Sequence, residues 1–309
     1  MPSTTASSET RLAQRSFPRL LPIAAWVSFA LNVLIIGTGG AVRLTGSGLG
    51  CSEWPLCTPG SLVPTPELSY HSLIEFGNRT ISGPLLIFAV LVFALTLLAR
   101  RSRRDLVVLA SVVLGLVLLQ AFVGGVIVWL HLNANLVGFH YIVSVLLVCI
   151  TAAYLVRLYE PAGARERAVP RAFAILAHIT TVVFAITTLV GVLTTASGPH
   201  SGDANIQRDG IDAVLMSHIH AWPGYLLALL TVVLLVWARR DRLRPAAWLT
   251  ALLVVEAVQV GLGLYQARNG LPPLIVGMHM VLASLAAAAM TVTVLRLKRP
   301  IAGPSENEA

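Results

Sequence analysis

The sequence predicts an all-α polytopic membrane protein in which eight transmembrane helices form two tandem four-helix bundles of the same orientation. Three observations predict this fold: an apolar composition, eight long apolar stretches and an internal repeat. Of the 309 residues, 56% are hydrophobic and 12% are charged, and the mean hydropathy is +0.79. Because soluble domains carry about 25% charged residues, this composition indicates a chain that lies within a lipid bilayer.

Eight apolar stretches are long enough to be transmembrane helices. Each has about 20 residues or more, which is the length that crosses a bilayer core of about 30 Å. They cover residues 19–43, 72–99, 106–130, 137–157, 172–196, 213–238, 245–266 and 273–296.

The basic residues predict the orientation of these spans. The net charge is +8, but most lysines and arginines lie in the two tails and in alternate connections, which is the positive-inside pattern rather than a nucleic-acid surface. Only Arg43, Arg79, Arg208 and Arg268 lie at or near the other side. We therefore expect a multi-pass plasma-membrane protein with both termini in the cytoplasm. The polar N-terminal segment precedes a full-length span, so no cleaved signal peptide is predicted.

An internal repeat divides the chain into two halves. Residues 118–146 and 257–285 both read as the end of a glycine-rich span, a short loop with Asn, and a new span that opens with Val-Gly-x-His. Four spans per half is an even number, so the halves share one orientation. The predicted segments are a cytoplasmic tail (1–18), the N-terminal half (19–157), a linker (158–171), the C-terminal half (172–296) and a second tail (297–309).

Polar residues collect where the even-numbered spans begin, near the outer face. Glu75 and Asn78 lie in the first turns of span 2, and His140, His220 and His279 lie near the starts of spans 4, 6 and 8. A charged side chain at membrane depth costs about 2.5 kcal/mol or more, so Glu75 marks a candidate functional site.

Two histidines in the C-terminal half are candidate haem ligands. His220 and His279 could supply axial imidazoles from separate helices to an iron in an apolar slot. Attachment would be non-covalent, because the sequence has no Cys-x-x-Cys-His. His218 lies about 200° around the helix from His220 and cannot face the same slot. The alternative for any single histidine is an ordinary hydrogen-bonded residue near the interface, but four sites at matched depth favour ligation.

The N-terminal half has Asn78 where an imidazole would face His140. His71, Glu75 and Asn78 share one helix face, so they could line the same pocket. Iron held from one side, with a carboxylate nearby, suggests a site for chemistry. The bis-histidine half suggests electron transfer.

Two cysteines lie in the first outer loop. Cys51 and Cys57 face an oxidising compartment, so we expect a disulfide that acts either as a loop staple or as a redox pair. Cys149 is predicted to be a small core residue.

Five motifs resemble the bacterial haem A synthase family, which converts haem O to haem A for cytochrome oxidase assembly. They read "GGAVRLTGSGLGCSEWPLC", "IEFGNR", "GFH", "IHA" and "GMH". The resemblance implies haem b on His220 and His279, and haem O as substrate on His140. It also implies that Glu75 is the acid needed to oxidise the C8 methyl group to a formyl group. Membrane lipid, haem O synthase and oxidase assembly factors are the expected partners.

The sequence departs from that family at the usual Glu-x-x-His-Arg pattern, where Asn78 replaces the histidine. The second substrate-haem ligand is therefore missing or comes from His71. We favour a substrate iron held chiefly by His140, because a substrate must leave. Arg79 could contact a haem propionate or anchor the helix at the bilayer interface.

Two other protein classes compete with this interpretation. A quinone-linked bis-histidine cytochrome would explain the histidines but leaves Glu75 without a role. A transporter with parallel repeats would place its polar site near the midplane. Glu256 in span 7 could carry protons in either class, although Gln259 and Gln266 suggest a hydrogen-bonded acid instead.

Overall fold

The computed structural model describes residues 6–65, 69–203 and 212–301, with side chains from residue 19 onward. Within these ranges it contains eight long helices and one small two-stranded sheet. The helices are α1 (Ala6–Leu44), α2 (Tyr70–Arg100), α3 (Arg104–Trp129), α4 (Ala134–Leu158), α5 (Arg171–Ser197), α6 (Ala213–Arg240), α7 (Ala246–Arg268) and α8 (Pro273–Leu295). The strands are β1 (Arg165–Arg167) and β2 (Lys298–Pro300), which pair antiparallel. All eight helices are long and apolar enough to cross a membrane, and in α1 the apolar span begins at Arg19. The prediction of an all-α membrane protein with eight spans is confirmed.

Apart from the start of α1, helix boundaries lie within a few residues of the predicted ones, and local capping explains two of the starts. The Asn133 side chain accepts hydrogen bonds from the N–H groups of Asn135 and Leu136, so α4 begins before the predicted apolar stretch. Asp212 caps α6 in the same way, accepting from the Val214 N–H at 2.7 Å. Both side chains satisfy backbone donors that a helix leaves unpaired at its N-terminus.

The two predicted tails are partly structured. Helix α1 already begins at Ala6, within the predicted tail 1–18. The predicted C-terminal tail contributes β2, which pairs with β1 from the predicted linker. Residues 302–309 of that tail and Arg208 lie outside the described residues.

Within each half, the four helices contact one another in a ring. Consecutive helices pack together, and the first packs against the last, α1 on α4 and α5 on α8. The halves meet where α8 contacts α1 and α4, and where α4 contacts α5. The division into two tandem bundles of common orientation stays a prediction.

A buried carboxylate joins the two halves near the β1–β2 sheet, at what we call the sheet end. Glu160 follows α4 and is 8% exposed. Arg296, after α8, donates to its Oε1 at 2.9 Å, and Arg157 and Arg165 lie 3.4 and 3.5 Å from its Oε2. The opposite end carries the α1–α2 loop with its cysteines, and we call it the disulfide end.

Candidate functional site

A cavity lies between the two halves and is lined by residues of every helix except α3. Its volume is about 1110 Å³, including the part open to solvent. Its lining combines aliphatic side chains and glycines with polar side chains. The cavity brings together Asn78, His140, His220 and His279, which are four of the residues that the sequence singled out.

The imidazoles of His220 and His279 face each other across the C-terminal half. Their ring centroids are 6.2 Å apart, with the planes at 77°. Two metal–nitrogen bonds of about 2.0–2.1 Å, plus a ring radius on each side, give a separation of about 6 Å. Nδ1 of His220 lies 3.1 Å from the Thr187 carbonyl oxygen. Such a bond fixes the tautomer and leaves Nε2 free to bind a metal.

The rings of His140 and His279 each contain an unpaired nitrogen. Among the described residues, Nδ1 of His140 and Nδ1 of His279 are buried without a hydrogen bond of standard geometry. The backbone of Gln259 is the polar group that the His279 ring faces. Because buried polar atoms are nearly always paired, these nitrogens fit a site that a ligand completes.

The protein alone does not supply a full metal coordination sphere here. In the described part of the chain, no group of three or more His, Cys, Asp or Glu side chains could hold a metal ion. A pair of imidazoles therefore suits a metal that brings its other ligands with it, as haem iron does.

Four glycines on the odd-numbered helices face the four polar residues, and the sequence reasoning did not single them out. A Cβ at Gly191 would lie 2.8 Å from Cε1 of His220, so only glycine leaves room for that ring. The other three pairs, with the distance from the added Cβ, are Gly39 with Asn78 Oδ1 (3.7 Å), Gly124 with His140 Cε1 (3.7 Å) and Gly263 with His279 Cε1 (3.5 Å). Gly124 and Gly263 occupy matching positions in the repeat, which was the signal available.

Two other glycines, Gly138 and Gly277, each lie two residues before a histidine, where a missing side chain could let a macrocycle approach the backbone. Gly138 lines the cavity. An added Cβ at Gly138 would lie 2.9 Å from Val192 on α5, and one at Gly277 would lie 3.3 Å from Leu44 on α1. Both positions therefore permit close packing between the halves.

Asn78 occupies the position opposite His140 without offering an imidazole. Its Oδ1 accepts a hydrogen bond from the Thr38 hydroxyl at 2.7 Å. This bond orients the amide, and Asn78 lines the cavity.

Glu75 and Arg79 form an ion pair that fastens the α1–α2 loop, and neither lines the cavity. Glu75 is 4% exposed, and its Oε2 accepts from the Cys51 N–H at 2.7 Å. Arg79 donates from Nε to Oε1 of Glu75 at 3.1 Å, and from Nη1 to the carbonyl oxygens of Glu53 and Leu56. The guanidinium therefore binds loop carbonyls as well as the Glu75 carboxylate. The two alternatives for Arg79, a propionate contact and an anchor at the bilayer interface, stay predictions.

The predicted Cys51–Cys57 disulfide is present, and both cysteines are fully buried. The loop that it closes is packed on α3. The Trp54 ring lies so close to Gly125 that an added Cβ would approach it within 2.5 Å, and its centroid is 5.5 Å from that of Trp129.

His71 lies away from the cavity. Its Nδ1 is 3.0 Å from the Ser47 hydroxyl, and its ring stacks on Tyr70. Seven residues at 1.5 Å each put it about 10 Å closer to the disulfide end than Asn78. A shared helix face therefore did not bring His71 to the pocket that Asn78 and His140 line.

Comparison with known proteins identifies the family. A family model of cytochrome oxidase assembly proteins, COX15-CtaA, matches residues 23–199, which is more than half of the chain. This chain belongs to the COX15-CtaA family. The match covers the N-terminal half of this COX15-CtaA protein from residue 23 onward, including Glu75, Asn78 and His140, together with α5.

Several individual proteins are similar to this family member over shorter regions. It is 32% identical over 131 residues to the heme A synthase of Exiguobacterium sibiricum, covering 39% of this chain and 43% of the relative. It is 34% identical over 136 residues to the heme A synthase of Bacillus pumilus, covering 41% of this chain and 40% of the relative. The chain thus spans about two fifths of the length of the curated relatives that it matches.

Proposed function

We propose that this protein is a haem A synthase of the plasma membrane. It oxidises the C8 methyl group of haem O to a formyl group, giving haem A for cytochrome c oxidase. The observation that carries the proposal is the cavity that gathers Asn78, His140, His220 and His279 in a chain of the COX15-CtaA family. The names of the similar proteins support the same reaction.

In this proposal, His220 and His279 hold haem b non-covalently in the C-terminal half. The 6.2 Å separation of their rings fits two axial ligands, and the Thr187 carbonyl holds His220 in the tautomer that a metal needs. When bound, haem b supplies one-electron transfer.

His140 holds the substrate iron in the N-terminal half, and Asn78 faces it. An amide oxygen already bonded to Thr38 is a poor competitor for iron, so the substrate is held mainly from one side. This arrangement suits a haem that must enter and leave. His71 receives no ligand role, because its hydrogen bond to Ser47 lies outside the cavity.

The reaction balances with water as the source of oxygen. The methyl group and two waters give a gem-diol, four electrons and four protons, and the gem-diol then loses one water to leave the formyl group. Haem b held by His220 and His279 would pass these electrons to an acceptor of the quinone class, which takes two electrons and two protons per molecule.

The contacts of Glu75 support a positioning role in the oxidation. Both carboxylate oxygens are engaged by Arg79 and the Cys51 N–H, so the ion pair would have to open before Glu75 could act as a base toward water. We propose that Glu75 holds the disulfide loop and Arg79 in place one helical turn from Asn78.

The basic residues support a cytoplasmic location for the sheet end and for both termini. The cavity and the disulfide loop then lie toward the outer face, where an oxidising compartment maintains the disulfide. Membrane lipid surrounds the spans. Haem O synthase supplies the substrate, and oxidase assembly factors receive the product.

The proposal is tested by extracting haems from protein that is co-expressed with a haem O synthase. Wild type should yield haem A and haem b, and His140→Ala should retain haem b without haem A. Glu75→Gln should accumulate haem O or a hydroxylated intermediate. If Glu75 positions the loop, this variant should also have a lowered melting temperature, whereas loss of a catalytic base alone should leave the melting temperature unchanged. Haem b alone in every sample would instead favour the electron-transfer cytochrome. No haem in folded protein would favour the transporter.

A further inference from the structure

A row of buried polar side chains runs along α7 and is not used by the proposed reaction. Glu256, Gln259 and Gln266 each have a side-chain oxygen that is buried and unpartnered among the described residues. Glu256 is 5% exposed. Because unpaired buried acceptors are rare, such atoms normally bind ordered water.

Helix geometry places these residues on one face that ends at the cavity. Their spacings of three and seven residues are those of one helix face. At 1.5 Å per residue, Glu256 and Gln266 are about 15 Å apart along the axis. Gln266 lines the cavity, and the backbone of Gln259 faces the His279 ring. The row therefore connects the middle of α7 with the bis-histidine pair.

The row of polar side chains on α7 is closed toward the sheet end. The next residues on the buried face are Leu252 and Leu249, and both are 0% exposed within apolar clusters. Protons that reach Glu256 must therefore come from the cavity side.

The helices packed against α7 present few polar groups to Glu256. Helix α6 contributes Thr231, whose hydroxyl donates to Oε1 of Glu256 at 3.1 Å. The neighbouring packing is apolar and includes Leu227 from α6, with Ala286 and Met290 from α8. The titratable or charged side chains of α6 and α8 are His218, His220, Tyr225, Arg239 and Arg240 on α6 and His279 on α8. Tyr225 lies in the middle of α6 and is 44% exposed, and the others lie toward the helix ends.

The repeat shows that this acid belongs to one half only. Gln120 and Gln259 occupy matching positions, as do His140 and His279. Three residues before Gln120, the N-terminal half has Val117, which is buried at 4% exposure. The carboxyl group of Glu256 is thus specific to the half that holds two histidines.

We propose that Glu256 is the proton acceptor that accompanies electron uptake at the His220–His279 site. This inference rests on the proposed function, since it requires haem b at that site. Each electron that arrives from the substrate half is matched by one proton, which moves from the cavity along water bound to the row and binds the Glu256 carboxylate. When the electron leaves to the quinone-class oxidant, the proton returns to the cavity. Adding a charge to a region of low dielectric is unfavourable unless an opposite charge accompanies it.

The test is a spectroelectrochemical titration of purified, haem-loaded protein at a series of pH values. The variants are Glu256→Gln, Glu256→Asp and, as a control, Glu166→Gln, which removes the exposed ion pair with Arg299 on the β1–β2 sheet. The wild-type midpoint should fall as pH rises, by up to about 59 mV for each tenfold change in proton concentration. Glu256→Gln should abolish this dependence, whereas Glu256→Asp and Glu166→Gln should keep it.

A redox-induced infrared difference spectrum provides the second readout. A carboxyl band should appear on reduction of wild type and be absent from Glu256→Gln. A pH-independent midpoint in wild type, or an unchanged dependence in Glu256→Gln, overturns the inference while leaving the proposed function intact. Protein that contains no haem b overturns the proposed function itself.

Discussion

His220 and His279 present their imidazoles to each other across 6.2 Å, and the Thr187 carbonyl fixes the orientation of the first ring. No covalent link holds a cofactor there, so its retention depends on both rings. We expect His220→Ala and His279→Ala each to abolish haem b binding, measured as haem per protein and by the absorbance spectrum of the reduced protein.

His218→Ala is the matched control for these variants. It removes an exposed histidine from the same helix, two residues away. It should retain haem b at the wild-type ratio. Equal losses from His218→Ala and His220→Ala would show that helix integrity, rather than ligation, explains the effect.

Gly191 is a sharper test of the same site, because it changes no ligand. A Cβ added there would lie 2.8 Å from Cε1 and 3.2 Å from Nδ1 of His220. Overpacking of this kind costs about 1–3 kcal/mol, which corresponds to roughly 5- to 150-fold weaker haem binding. Gly191→Ala should show this loss in a haem titration of the apoprotein. Gly261→Ala, with no neighbouring atom within 4 Å of the added Cβ, should bind haem normally.

The spans and the histidine positions could be predicted because both depend on local sequence. Apolar length alone defines a span, and the repeat places His140 and His279 at equivalent helix starts. Capping by Asn133 and Asp212 then moves the ends of helices by only a few residues.

The surroundings of Glu75 could not be predicted in the same way. Besides Arg79, its partner is the Cys51 N–H, which lies in a loop 24 residues earlier in the chain, and a helix-face argument contains no information about that loop. The same reasoning placed His71 in the pocket because it used angle and ignored depth. Glycine contacts such as Gly191 with His220 depend on how two helices pack, which spacing within one helix does not determine.

Arg79 should stabilise the protein mainly by holding the disulfide loop. Arg79→Gln leaves the buried Glu75 carboxylate without its ion pair, which should lower the free energy of unfolding by about 3 kcal/mol. Thermal unfolding in detergent measures this loss, and proteolysis should cut the 51–57 loop earlier. Arg299→Gln breaks an exposed ion pair with Glu166 and should cost under about 1 kcal/mol. Equal effects of the two substitutions would contradict the fastening role of Arg79.

Asn78→His tests whether weak ligation allows the substrate to leave. The side chain lines the cavity, and Gly39 leaves space beside it, since an added Cβ there would be 3.7 Å from Asn78 Oδ1. A second imidazole opposite His140 should hold the substrate iron from both sides. We expect purified Asn78→His to retain several-fold more haem O and haem A than wild type and to turn over more slowly, as measured by haem chromatography.

The control for this variant is Asn78→Leu, which fills the position without supplying a ligand. It removes the hydrogen bond from Thr38 and should retain no more substrate haem than wild type. Increased retention in Asn78→His alone, with a bis-histidine spectrum for the additional haem, would place residue 78 on the iron axis of the substrate. Equal retention in both variants would mean that the cavity wall, rather than axial ligation, governs release. Residue 78 would then not lie opposite His140 across the substrate iron.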